Sequence, residues 1–167
     1  MKKKPLLPEK TNIHLIGHLQ TNKVKQAVKN ACMIHSVDSV RLAEEISKVS
    51  VKEKVVTKVL LQVNVARDNA KFGIDAQELW ETLEKTSNLP GIKVCGLMTV
   101  PAIETDPETT RGYFRKMHEL FEEAKKKGYP LTELSMGMSG DYEIAVREGA
   151  TMVRVGSKIF GARNYNV

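Results

Sequence analysis

Cysteine is scarce, aromatic residues are few, and no apolar run in the 167-residue chain approaches the length of a membrane-spanning helix. Each shortage excludes a class of protein. The two cysteines, Cys32 and Cys95, stand in apolar runs without CxxC or Cys/His ligand spacing. Neither a disulfide framework nor a zinc site is indicated, and a reducing, cytoplasmic setting is expected. The first ten residues, MKKKPLLPEK, are basic but lack the apolar core of a signal peptide, so neither secretion nor a membrane association is expected. Acidic residues are also outnumbered: Asp and Glu total 20 against 26 Lys and Arg, a net charge of +6 with a pI near 9.3. Such a balance attracts anions, nucleic acid included. The lysines are nevertheless spread along the chain, with short runs only at Lys2–Lys4 and Lys125–Lys127, and aromatics make up only 5%. They read as solvated faces, and no nucleic-acid partner is expected.

What the chain does have is a regular alternation of apolar strands and amphipathic helices. Residues 1–11 read as a mobile leader broken by Pro5 and Pro8, and residues 12–167 as one domain. Ile13–Ile16 reads as a strand, followed by a short helix that Asn22 can cap; Ala31–Val37 is a second strand, with Asp38 and Ser39 placed to cap a helix carrying Leu42, Ile46 and Val49. Lys58–Val65 is a nearly continuous apolar strand in which Gln62 and Asn64 share one face, Asn64 near its C-terminal end. Asp75 and Glu78 suggest a capping box ahead of Leu79 and Leu83. A strand at Ile92–Thr99 precedes a helix with Asp106 as cap and Pro107 at its first position, whose stripe of Phe114, Met117, Phe121 and Ala124 reads as core. Two more strands, Leu134–Met136 and Met152–Val155, flank a short helix at Tyr142–Arg147. Strict alternation of this kind implies a parallel sheet with right-handed crossovers, an α/β fold of TIM-barrel type.

The last third carries the chemistry. The strand ending near Met136 runs into the turn Gly137–Gly140, and the strand ending near Val155 runs into Gly156 and Ser157. Two small-residue turns at the C-terminal ends of neighbouring parallel strands make a pocket of backbone N–H groups and hydroxyls suited to a phosphate, the position of the usual phosphate site in a (β/α) barrel. Arg154 lies on the same strand face as Gly156 and can point into that pocket. The alternatives are turns without a ligand and a structural arginine paired with a carboxylate. His18 and Gln20 sit in a turn where they can line the mouth or face water, and His14, His35 and His118 show no ligand or triad spacing and read as structural or exposed.

The run MGMSGDYEIAVREGATMVRVGSKIFGARNY, together with HLIGHLQTNK at positions 14–23, resembles the pyridoxal-phosphate homeostasis proteins, whose fold is like the barrel domain of alanine racemase. The resemblance runs from about His14 to Tyr165. It implies that Ser139, Gly156 and Ser157 hold the phosphate of pyridoxal 5'-phosphate and that Arg154 meets its pyridine nitrogen. Lys71, in NAKFGI, resembles by position the basic residue set near the ring hydroxyl in alanine-racemase barrels; a solvated lysine is the other reading.

Six strands, each unit taking roughly 30 residues, fall two short of a closed barrel, which needs at least ~200 residues. By the resemblance, the two units ahead of the HLIGHLQTNK stretch include the strand whose lysine forms an imine with the cofactor, and nothing before His14 can be that strand. The expectation is a partial, alanine racemase-like barrel of about six βα units, a non-catalytic binder of pyridoxal 5'-phosphate that holds it without the covalent anchor. A substitute lysine (Lys23, Lys25 or Lys158) is a minor alternative. Two open sheet edges, at Ile13–Ile16 and Met152–Val155, predict self-association. A TIM-barrel enzyme using the same turns for another phosphate ester, or a scaffold without ligand, are the competing readings.

Overall fold

The computed structural model describes residues 8, 10–68, 71–102 and 106–161. Most of the expected leader, and the Ala162–Tyr165 end of the resembling stretch, lie outside the described residues.

Among the described residues seven parallel strands and six α-helices follow in order: β1 (His14–Leu15), α1 (Val24–Asn30), β2 (Met33–Val37), α2 (Val40–Lys52), β3 (Thr57–Asn64), β4 (Ile74–Asp75), α3 (Leu79–Ser87), β5 (Ile92–Met98), α4 (Pro107–Lys126), β6 (Glu133–Met138), α5 (Tyr142–Arg147), β7 (Met152–Arg154) and α6 (Ser157–Phe160). The main sheet runs β1-β2-β3-β5-β6-β7, and every pairing is parallel. This is the alternating architecture expected of an incomplete barrel. The two-residue β4, which pairs with the end of β3, was not foreseen; it is too short to carry a period.

Local signals explain most boundaries. Ser39 accepts a hydrogen bond from the Leu42 amide at 3.3 Å and caps α2, while Asp106 accepts from the Glu108 and Thr109 amides at 3.1 and 3.0 Å and caps α4 with Pro107 at its first position. Two expected caps differ. Thr21–Lys23, including Asn22, forms a 3-10 turn and α1 begins at Val24 without a side-chain cap. Asp75 ends β4 and accepts from the Gln77 amide, so α3 starts at Leu79 with no capping box. In both places a tight turn has taken the donors that a cap would have used.

The sheet has two unlike faces. Its outer face packs Ile34, Val59, Leu61, Val63, Leu97, Leu134 and Met136 against the helices, including the buried stripe of α4. The inner face has an apolar floor of Met33, Leu60, Cys95 and Met98, against which Met152 packs. Burial pushes the Cys95 thiol above its ordinary pKa, so it behaves as a small hydrophobe. Above that floor the inner face is polar, with His35, Gln62, Thr99 and Ser135 all buried.

The sheet is strongly curled. Strands β2 and β6 are three steps apart, about 14 Å in a flat sheet. Yet His35 on β2 and Ser135 on β6 lie 3.0 Å apart, Nδ1 to Oγ. The inner face is therefore a trough, and side chains from distant strands meet inside it.

Candidate functional site

At the C-terminal end of the trough the two small-residue corners converge. Gly137 near the end of β6 has φ +88°, and a Cβ there would lie 2.5 Å from the Ala145 Cβ, so only glycine lets α5 fold back this closely. The Asp141 carboxylate accepts from the Met138 amide at 2.6 Å and closes that corner. Ser139 is thereby aimed at the second corner: its Oγ accepts from the Gly156 amide at 2.9 Å and from the Lys158 amide at 3.4 Å. One oxygen collecting amides from the opposite turn shows that both corners address a single point. The Ser139 hydroxyl stands where an anionic oxygen would be taken by the same donors.

Arg154, two residues before Gly156, points into the trough. Its Nη1 donates to Ser135 Oγ and its Nη2 to the Thr99 carbonyl oxygen, both at 2.7 Å. Thr99 Oγ1 in turn donates to the Val63 carbonyl at 2.8 Å, tying β7 through β5 to β3. Among the described residues no carboxylate pairs with Arg154; Asp141 acts on it only through its field. Burial lowers the guanidinium pKa to about 10, which still leaves it charged at neutral pH. A desolvated cation with N–H donors to spare is costly unless acceptors reach it. Among the described residues the fold does not build the alternative, a structural arginine paired with a carboxylate.

The other sequence candidates are placed differently. Asn64 ends β3, but both ends of its amide are used locally: Nδ2 donates to the Asp68 carbonyl and Oδ1 accepts from the Asp68 amide. Lys71 is exposed on the loop after β3. Neither touches the corner of Ser139 and Gly156. Ser157 opens α6 beside Gly156 and is exposed. Lys158 presents its amide to Ser139 while its ammonium sits over the Tyr142 ring and 3.8 Å from Glu143. His18 does reach the mouth: its ring stacks on Phe72 with centroids 3.8 Å apart and its Nδ1 lies 3.0 Å from Asp38 Oδ2.

Four residues with no signal along the sequence also belong to the site: Ser135, Thr99, His35 and His14. His14 pairs in register with Met33, which puts His35 two residues on along the same face, and His14 Nδ1 lies 2.8 Å from His35 Nε2. Desolvation, with His14 and Arg154 nearby, lowers the His35 pKa to about 4 and keeps the ring neutral. Only strand register joins these residues, and register is not written in the spacing of one sequence.

The alanine racemase N-terminal domain family matches residues 5–164. A pyridoxal phosphate homeostasis protein from Aquifex aeolicus is 47% identical over 153 residues, covering 91% of this chain and 67% of its own length. The chain belongs to the pyridoxal phosphate homeostasis family. It spans about two thirds of the length of the curated relatives it matches. Among solved structures, Synechococcus elongatus PipY with pyridoxal phosphate bound superposes with a TM-score of 0.87 at 36% identity, over 96% of this chain and 74% of that one. An alanine racemase from Clostridium difficile shares the fold alone, with a TM-score of 0.74 at 17% identity over 94% of this chain and 42% of the racemase. Among the described residues no helix is long and apolar enough to cross a membrane.

Proposed function

We propose that this chain binds pyridoxal 5'-phosphate reversibly and without catalysis, its phosphate in the corner formed by Ser139, Gly156 and Ser157 and its pyridine nitrogen toward Arg154. The observation that carries the reading is the convergence of the Gly156 and Lys158 amides on Ser139 Oγ, beside a half-buried guanidinium that pairs with no carboxylate among the described residues. The residues fit the group. Amides and hydroxyls suit a phosphate dianion, and the spare N–H donors of Arg154 suit an aromatic nitrogen that accepts. PipY, whose structure holds pyridoxal phosphate, is 36% identical over nearly the whole chain.

The cofactor brings an aldehyde and an electron-withdrawing ring when bound. The protein's part is binding and orientation. Ser139 turns its hydroxyl toward the phosphate as the Gly156 and Lys158 amides pass to phosphate oxygens. Arg154 holds the ring nitrogen without handing over a proton, which keeps the ring a poor electron sink and favours storage over transformation. Lys71, exposed on the loop after β3, is the basic residue we assign to the ring hydroxyl, and Asn64 serves it indirectly through its hydrogen bonds to Asp68 in that loop. The site works in the cytoplasm. Among the described residues no further strand pairs with the edge strands β1 and β7, so a second copy can take those edges and the chain self-associates at micromolar concentration.

Titration with pyridoxal 5'-phosphate, followed by absorbance and calorimetry, tests the binding reading. The expected result is one reversible event with a Kd between about 10 µM and 1 mM, and no covalent adduct after borohydride. A borohydride-fixed adduct on a lysine, or no binding at millimolar cofactor, overturns it.

A further inference from the structure

The polar layer of the trough holds a row of hydrogen bonds that reaches beyond the ligand contacts. It runs from Arg154 through Ser135 and His35 to His14, with steps of 2.7, 3.0 and 2.8 Å. The four residues come from β7, β6, β2 and β1, so the row crosses the open side of the trough from one edge strand to the other.

The sense of each hydrogen bond follows from the chemistry of one end. A guanidinium only donates, so Ser135 Oγ accepts from Arg154. Ser135 is fully buried, and its own hydroxyl hydrogen needs an acceptor; His35 Nδ1 is the neighbour in reach. His35 then carries its proton on Nε2 and donates to His14 Nδ1, which leaves the His14 proton on Nε2. The reverse arrangement would make Ser135 accept twice and bury its hydrogen without a partner.

We propose that His35 is a positioning residue for Arg154, acting through Ser135 and itself anchored by His14, so that the guanidinium is held with its spare donors toward the ligand. The ligand is that of the binding reading above, but the row does not depend on it. Titratable groups face His35 from two strands, His14 on β1 and Arg154 on β7, while β6 presents the Ser135 hydroxyl. Protonating His35 would put a donor against Ser135 and a second positive charge beside Arg154. The guanidinium is therefore held at neutral pH and released in acid.

Nitrogen-detected NMR of the whole chain without cofactor, combined with separate titrations of pyridoxal 5'-phosphate and inorganic phosphate, tests this. At pH 7 the His35 ring is expected to carry its proton on Nε2, and the Arg154 Nε–H signal to stand sharp and apart from those of exposed arginines. In His35→Phe that signal merges with the exposed set, cofactor affinity falls about tenfold, and phosphate affinity stays within twofold. His35→Asn, whose Oδ1 can accept from Ser135, restores both readings. Acidification toward pH 4 releases the Arg154 signal in the unaltered chain but not in His35→Asn. Ser135→Ala breaks the row at its middle and gives the same losses should His35→Phe fail to fold. A proton on His35 Nδ1 at pH 7, or an unchanged Arg154 signal and cofactor affinity in either His35→Phe or Ser135→Ala, overturns the proposal. Failure of the unaltered chain to bind the cofactor contradicts the binding reading alone, because the ring tautomer and the Arg154 signal still decide this one.

Discussion

Two corners at the mouth of the trough are made of similar residues, and they have opposite characters. The corner after β3 is closed upon itself: Asn64 spends its amide on Asp68, Gln62 Nε2 donates to the Phe72 carbonyl at 2.8 Å, and the His18 ring lies flat on Phe72. The corner between β6 and β7 is turned outward. Its amides are gathered on one exposed side of Ser139, and among the described residues the cation behind it is paired with no carboxylate, Asp141 acting on it only through its field. A polar residue at a strand end is thus no guide to binding until its hydrogen bonds are counted. Those satisfied within the fold build the mouth, and those left over are free to meet a ligand.

A matched pair of glycines gives the strongest way to break this contrast. Gly137 (φ +88°) and Gly73 (φ +136°) both hold conformations that alanine resists, with a new Cβ placed 2.5 Å from Ala145 Cβ in one case and 2.7 Å from the Asn64 nitrogen in the other. Each alanine substitution should cost about 3 kcal/mol in denaturant unfolding. Only Gly137→Ala should also abolish cofactor binding, because it displaces Ser139. Equal binding losses in the two variants would mean that both corners hold the ligand.

Arg154→Met comes next. Affinity for pyridoxal 5'-phosphate should fall about thirtyfold in calorimetry, the value of a charge-assisted hydrogen bond in a desolvated site. Folding stability should hold or rise, since a half-buried cation that pairs with no carboxylate among the described residues is removed. A marked loss of stability would show that the arginine is structural.

The pH dependence of stability should expose the neutral histidine behind that arginine. His35 titrates near 6.5 when unfolded and at about 4 when folded, so the unfolded chain binds more protons between those values. Its contribution is complete above pH 6.5 and is lost as pH falls toward 4, by up to about 2 kcal/mol once partial solvent screening is allowed for. Thermal melts from pH 7 to 4.5 should show the decline, and His35→Phe should flatten it.

The smallest effects separate the two polar residues themselves. Ser139→Ala should weaken phosphate binding by about 1 kcal/mol and barely touch stability, while Asn64→Ala should lose about 1 kcal/mol of stability and keep its phosphate affinity.

The same contrast explains what the sequence disclosed. The outer face was legible because its apolar residues follow strand and helix periods, as Phe114, Met117 and Phe121 do along α4, and because caps such as Ser39 and Asp106 bond to near neighbours. The two converging corners were legible because Gly and Ser at two strand ends are local signals. The row from His14 to Arg154 was hidden, since His35 and Ser135 are 100 residues apart and meet only because the sheet curls. The spent amide of Asn64 was hidden as well: its partner Asp68 is near in sequence, but nothing in the spacing says which way the loop will turn.

The most direct measurement is an amide NMR titration of the chain with inorganic phosphate and then with pyridoxal 5'-phosphate. Convergence of the two corners on one anion predicts that the amides of Ser139, Gly156, Ser157 and Lys158 shift together and fit a single dissociation constant for each ligand. Shifts scattered over the lysine-rich surface, or movement of one corner without the other, would contradict it.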